Sequence, residues 1–287
     1  MKFPNLTHSM KSINLYLMAI LFFSACSKSG AEPEPTKPEV PGTVISSKIV
    51  AHRGAWKEFN LPDNSLAAFE KALSLKFLGS ECDIQITKDK KVIIYHDETI
   101  SGSFIKDLNY DEIVAKHKLA NGENVPLLST FLSKLKADGG NSLLWLDVKS
   151  LSDAAGGNSQ SILSAQEAAK EINAAGVSAK IKFIVGRKAV LDAAIAAAAG
   201  KWECGYMNAE YTADQFEKAG YSWANLTFET FYTSTSTNTT LFNSYTTKGI
   251  KLSVYTVDDV AAAKWFLAQK NLYAISTNIP MTLSSLN

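Results

Sequence analysis

From residue 49 to residue 276 the sequence alternates short apolar runs with longer stretches whose apolar residues recur at helical spacing. Nine runs read as strands: 49–51, 80–86, 92–95, 143–148, 181–185, 202–207, 224–228, 251–255 and 273–276. After the first, Leu66, Phe69, Leu73 and Phe77 line one helical face, and 160–175, 188–199, 238–248 and 259–269 are further helix candidates. Strands that are apolar along their length are buried on both faces. Repeated strand-then-helix order therefore calls for a parallel sheet covered by helices. One pair breaks the alternation, since only the turn Lys88-Asp89-Lys90-Lys91 separates 80–86 from 92–95. The count is one strand more than an eightfold barrel needs. With 287 residues, the chain has room for a single barrel of roughly 250 residues.

Polar residues gather where these strands end. His52-Arg53-Gly54 follows the first strand, and His96-Asp97 follows the third. Along 80–86 the side chains alternate, so Glu81 and Asp83 share a face while Cys82 points away as a packed core thiol. Asp147 and Lys149 share a face in the same way, and Tyr255 closes the strand 251–255. In a parallel barrel the strands' C-terminal ends form the working face, so these residues can converge on one mouth. Glu81, Asp83 and Asp147 supply oxygen ligands without a cysteine or histidine cluster, which suits one hard divalent cation, Mg²⁺ or Ca²⁺. An imidazole titrates near neutral pH, so the pair His52 and His96 can take one proton and give another, as cleaving a phosphodiester requires. The catalytic pair is assigned with His96 as base and His52 as acid, an order the sequence does not settle. Arg53 and Lys149 would neutralise the phosphoryl oxygens. Pro62-Asp63-Asn64-Ser65 is a helix start with Asn64 or Ser65 as N-cap. Trp56 and Tyr255 either wall the pocket or pack into the core, Thr277 is structural, and His117 is assigned to the surface.

The ordered series His52-Arg53-Gly54, Pro62-Asp63-Asn64-Ser65, Glu81-Cys82-Asp83 and His96-Asp97 resembles the glycerophosphodiester phosphodiesterase family, which opens with His-Arg-Gly, Pro-Glu-Asn-Thr, Glu-x-Asp and His-Asp. The likeness runs on through Lys106-Asp107-Leu108-Asn109 and Val125-Pro126-Leu127-Leu128, which resemble the family's insert. Asp147-Val148-Lys149 stands at the family's Glu-x-Lys, and Tyr255-Thr256-Val257-Asp258 at its Trp-Thr-Val-Asn. Thr277-Asn278-Ile279-Pro280 stands at its closing Thr-Asp-x-Pro. The resemblance implies a (β/α)₈ TIM-type barrel over residues 47–287, cleaving small-molecule glycerophosphodiesters to glycerol 3-phosphate and an alcohol. It also implies that Asn64 and Tyr255 join Arg53 and Lys149 in binding substrate. Two other readings fit the same residues: phospholipase D-like action on lysolipid or sphingolipid, and a non-catalytic phosphate- or glycan-binding surface lipoprotein.

Residues 1–25 combine Lys2 and Lys11 with an apolar run, 13–23, too short to span a bilayer stably, which fits a signal peptide. Ser24-Ala25-Cys26 resembles a bacterial lipobox, making Cys26 the expected acylation site and the membrane a partner through its lipid. Residues 26–46 carry four of the eight prolines among Glu and Lys and read as an extended tether. The expected location is therefore exported, anchored as a lipoprotein, most simply at the outer membrane. Without the two signal lysines the remainder holds 27 basic against 28 acidic residues, which provides no footprint for nucleic acid.

Overall fold

The computed structural model of the protein describes residues 48–286. The expected signal segment, the Cys26 acylation site and the tether lie outside them. Among the described residues no helix is long and apolar enough to cross a membrane.

The strands are β1 (Ile49–Ala51), β2 (Gly79–Ile86), β3 (Val92–Ile94), β4 (Thr99–Ile100), β5 (Ser103–Phe104), β6 (Leu143–Val148), β7 (Ile181–Val185), β8 (Glu203–Tyr206), β9 (Trp223–Thr227), β10 (Lys251–Tyr255) and β11 (Leu272–Thr277). The helices are α1 (Leu66–Ser74), α2 (Tyr110–Lys116), α3 (Leu128–Asp138), α4 (Gly157–Ala175), α5 (Lys188–Ala198), α6 (Ala213–Ala219), α7 (Thr239–Thr246), α8 (Val260–Leu267) and α9 (Pro280–Ser284). Strands β1, β2 and β6 to β11 form a parallel sheet that closes on itself, because β1 pairs with both β11 and β2. The result is the expected eight-stranded barrel. The ninth expected run is β3, which lies antiparallel on β2 with Ile84 opposite Ile94 and stays outside the barrel.

Alternation sorts each barrel strand into two faces. Ile84, Leu146, Phe183 and Val254 point outward into the apolar layer beneath the helices. Inward, Trp145 and Trp223 meet edge to face at 4.7 Å, and both contact Tyr273. Trp223 fits because Gly205 has no side chain: a Cβ there would lie 2.6 Å from the indole ring. This aromatic plug fills the barrel's middle. Asp147 and Asn225 stand two residues beyond Trp145 and Trp223 on the same inward faces, above the plug.

Helix α3 is not among the helices expected from sequence, although Leu128, Phe131, Leu132 and Leu135 have helical spacing and are all buried. Phe131 stacks on Phe69 of α1 at 4.5 Å, a pair that contributes about 1 kcal/mol beyond its burial. Between β3 and α3, the small hairpin β4–β5 and helix α2 share a separate core of Ile93, Ile100, Ile105, Ile113 and Val125. His117 is half-buried against the Tyr95 ring at 5.7 Å, so its assignment to the surface is corrected.

Candidate active site

The chain leaves β1 through His52, Arg53 and Gly54. Gly54 has φ +86°, and a Cβ there would lie 2.7 Å from that of Ala68 in α1, so this turn requires glycine. The turn delivers the Arg53 backbone N–H to Glu81 Oε2 at 2.9 Å. The Arg53 guanidinium reaches Asp63 Oδ2 at 2.9 Å and lies 3.2 Å from Asp83 Oδ2. Ser65, not Asn64, caps α1, accepting from the Ala68 N–H at 3.0 Å. Asn64 is buried behind Asp83: its Nδ2 donates to Asp83 Oδ2 at 2.8 Å, and its Oδ1 accepts from the Asp83 N–H at 3.0 Å. It thus positions a carboxylate and does not line the cavity, in contrast to the substrate contact the family resemblance implied.

Glu81, Asp83 and Gln85 occupy successive inward positions on β2, and all three are buried. Asp147 lies beside them on β6, with Asp83 and Asp147 in register. One oxygen from each of Glu81, Asp83 and Asp147 falls within 4.8 Å of the others. Lys149 bridges two of these acids, its Nζ 3.1 Å from both Asp83 and Asp147. Burial, and then the neighbouring acids, push the Glu81 carboxyl well above the usual carboxylate range. Burial likewise raises Asp147 to about 6, against the pull of Lys149. Burial acts on Asp83 too, but Lys149, Arg53 and Asn64 outweigh it and hold that carboxyl low. Asp147 Oδ1 is buried with no hydrogen-bond partner among the described residues. Three crowded oxygen donors and an orphaned oxygen fit a hard divalent cation.

Two histidines face this cluster. His52 Nδ1 lies 2.8 Å from Asn278 Oδ1, and its Nε2 lies 3.8 Å from Glu81. The Asn278 amide is oriented by partners of fixed character. The Trp56 indole N–H, which can only donate, points at Oδ1 from 3.1 Å, while Asp258, which can only accept, takes the Nδ2 proton at 3.0 Å. His52 Nδ1 therefore carries the ring proton, and Nε2 presents its lone pair to the cavity. Burial lowers the His52 pKa from its ordinary 6.5, though the Asn278 hydrogen bond opposes the shift. The second histidine, His96, hydrogen-bonds through Nδ1 to Asp97 Oδ1 at 2.7 Å. Its loop is held from below by Gln85, whose Nε2 donates to the carbonyls of Tyr95, His96 and Asp97.

These groups surround a cavity of about 210 Å³ at the C-terminal mouth of the barrel. It is lined by His52, Arg53, Glu81, Asp83, His96 and Asp147, together with Lys149 and Tyr255. Tyr255 is half-buried at its edge. Gln85, Asn278 and Asp258 are site residues that the sequence reading misses. Gln85 continues the Glu81-Asp83 alternation. The other two lie inside stretches already matched to family motifs.

A model of the Glycerophosphoryl diester phosphodiesterase family matches residues 52–279. The chain belongs to that family. A glycerophosphodiester phosphodiesterase of Caldanaerobacter subterraneus is 41% identical over 74 residues, 24% of this chain and 30% of that protein. An uncharacterized protein of Bacillus subtilis is 38% identical over 98 residues, 30% of this chain and 40% of its own. The matched stretches thus span less than half the length of these relatives. Among solved structures, a glycerophosphodiester phosphodiesterase from Parabacteroides distasonis superposes with TM-score 0.74 at 23% identity, covering 84% of this chain and 96% of that one. An Oleispira antarctica phosphodiesterase, solved with the product sn-glycerol-3-phosphate, gives TM-score 0.68 at 18% identity over 83% and 96%. At such identities the likeness establishes the fold. As in any parallel barrel, the glycerophosphoryl diester phosphodiesterase motifs lie on different strands, and closure brings them to one mouth.

Proposed function

We propose that this protein hydrolyses glycerophosphodiesters to glycerol 3-phosphate and an alcohol, with one divalent cation, Mg²⁺ or Ca²⁺, held by Glu81, Asp83 and Asp147. The observation that carries the reading is the charge arrangement of the cavity. Three carboxylates face Arg53 and Lys149, leaving one negative charge when all are ionised. A dication turns that to one positive charge, which a phosphodiester monoanion neutralises. When bound, the cation would keep Glu81 and Asp147 ionised and polarise a phosphoryl oxygen.

The chain's own groups account for the proton transfers. Arg53 and Lys149 draw the phosphoryl oxygens toward β1 and β6. The His52 Nε2 lone pair takes the proton of the attacking hydroxyl, either water or the neighbouring glycerol hydroxyl. With Nδ1–H tied to Asp97, His96 in its doubly protonated form gives its Nε2 proton to the departing alkoxide. This order reverses the assignment made from sequence, and what favours it is that His52 Nδ1 faces a neutral amide oxygen while His96 Nδ1 faces a carboxylate, the partner a protonated ring needs. Attack by the glycerol hydroxyl gives a cyclic phosphate that water then opens; direct attack by water needs one step.

The proposal extends to location: an exported lipoprotein, acylated at Cys26 and tethered to the outer membrane by residues 26–46. Its support is the lipobox-like Ser24-Ala25-Cys26 and the proline-rich stretch after it. The test of activity is the purified protein assayed against a panel of glycerophosphodiesters, with chelator and with Mg²⁺ or Ca²⁺ restored. Release of glycerol 3-phosphate only with metal supports the reading. Ligand binding without turnover under every metal condition would point to the non-catalytic lipoprotein instead, and release of a headgroup from intact lysolipid to phospholipase D-like action.

A further inference from the structure

The floor of the cavity contains a polar side chain that none of the proton or charge chemistry above employs. Asn225, on β9, is 1% exposed and lines the cavity. The orientation of its amide follows from a chain of hydrogen bonds. The Trp223 indole N–H donates to Ser253 Oγ at 2.8 Å. Indole nitrogen cannot accept, so the hydroxyl's own proton goes to its other neighbour, Asn225 Oδ1, at 2.7 Å. With Oδ1 engaged, Nδ2 retains two N–H groups that have no hydrogen-bond partner among the described residues. Asn225 lines the cavity, so these donors are available to whatever enters it.

The topology says which part of an occupant this donor meets. Round the closed barrel, β9 is the fourth strand from β2 in either direction and therefore stands opposite the Glu81–Asp83 wall. Arg53, Lys149 and the three carboxylates are gathered on β1, β2 and β6, so the phosphoryl group is drawn to that side. Asn225 faces what the phosphate carries. A neutral N–H donor suits an uncharged oxygen bearing a lone pair, and a cavity of about 210 Å³ is several times the volume of one water.

We propose that Asn225 recognises the glycerol of the substrate, donating an amide N–H to one of its hydroxyl oxygens. This assignment rests on the phosphodiesterase reading and adds to it the residue that distinguishes a glycerol diester from other phosphodiesters.

The experiment compares wild type, Asn225→Ala and Asn225→Ser on two substrates in the same metal buffer. One is glycerophosphocholine and the other is bis(p-nitrophenyl) phosphate, which has a diester but no glycerol. In parallel, calorimetry measures binding of glycerol 3-phosphate and of inorganic phosphate to the same three full-length proteins. Both variants should lose roughly tenfold in kcat/KM on glycerophosphocholine, mainly through KM, and change less than threefold on the glycerol-free diester. Both should lose affinity for glycerol 3-phosphate and keep that for phosphate. Equal losses on the two substrates would place Asn225 on the phosphate or in the scaffold and overturn the assignment, as would unchanged kinetics on glycerophosphocholine. The binding arm separates the two readings. If wild type turns over neither substrate, the phosphodiesterase reading fails. The glycerol assignment then stands on a selective loss of glycerol 3-phosphate affinity and falls without it.

Discussion

Asp258→Asn tests whether the partner of His52 sets its reactive nitrogen. Asp258 Oδ1 accepts from the Asn278 backbone N–H at 2.8 Å and the Thr277 hydroxyl at 3.1 Å. Its Oδ2 accepts from Asn278 Nδ2 and from Lys57 Nζ, both at 3.0 Å. An asparagine at position 258 keeps one oxygen and points an NH₂ at two donors. The simplest relief is for the Asn278 amide to turn over, presenting its oxygen to residue 258 and its NH₂ to His52 Nδ1. The ring proton must then sit on Nε2, and the lone pair that faces the substrate is lost. Losing a hydrogen bond to a charged group costs about 2 kcal/mol, a Tm drop of about 4–8 °C in a chain of this size. The catalytic loss should be larger, roughly 10²-fold in kcat, the lower end of what a positioned base contributes. The compensating change is Asn278→Asp. In the double variant the new amide at position 258 donates to the new carboxylate at position 278. That carboxylate in turn accepts from His52 Nδ1–H and Trp56, so kcat should return to within about tenfold of wild type. Asn278→Asp alone sets two carboxylates against each other and should be the least stable of the three. The assay is kcat on saturating glycerophosphocholine with thermal melts of all four proteins. A kcat for Asp258→Asn within threefold of wild type, or a double variant no faster than that single, would refute the reasoning.

His52→Ala and His96→Ala should each lower kcat by roughly 10²-fold or more; turnover close to wild type removes that residue from the mechanism. Because burial lowers the His52 pKa from its ordinary 6.5 and its neutral form is the base, the acid limb of kcat/KM should be centred below 6.5. The sign for stability is the same: the unfolded chain binds that proton first, so the His52 contribution is complete above pH 6.5 and is lost as pH falls through the folded pKa. An acid limb centred above 6.5 contradicts both. Asp147→Ala should raise the Mg²⁺ or Ca²⁺ needed for half-maximal activity, with Asp147→Glu nearer wild type; three superimposable metal titrations would take Asp147 out of the cation site. Gly205→Ala places a Cβ 2.6 Å from the Trp223 ring and should destabilise by about 1–3 kcal/mol, read as a lower denaturation midpoint. Cys26→Ser should release the protein from membranes or stall its processing, and unchanged fractionation with normal processing would argue against the anchor.

Much of this architecture is written locally in the chain, and the parts that are not share one physical cause. Strand periodicity is a property of consecutive residues, so the inward placement of Glu81 and Asp83 and the outward placement of Cys82 follow from alternation alone. The packed Cys82, its thiol pushed up mainly by burial, agrees with that reading. Partners across strands depend on register, which no single segment states. Asn64 could be read as a cap because caps are local, yet its amide is spent on Asp83, 19 residues away. Asn225 sits in a run that reads as an ordinary buried strand, and only its pairing with Ser253 on the neighbouring strand orients the amide. The most instructive case is the pair at 258 and 278. Read separately, Asp258 at the family's Trp-Thr-Val-Asn and Asn278 at its Thr-Asp-x-Pro are two departures that weaken the resemblance. In the barrel they touch, and the two departures are one exchange of amide for carboxylate across a single contact. The oxygen that faces His52 Nδ1 is here an amide oxygen without a charge. What reads in the sequence as two separate departures is, in three dimensions, one contact that orients the acceptor facing the histidine.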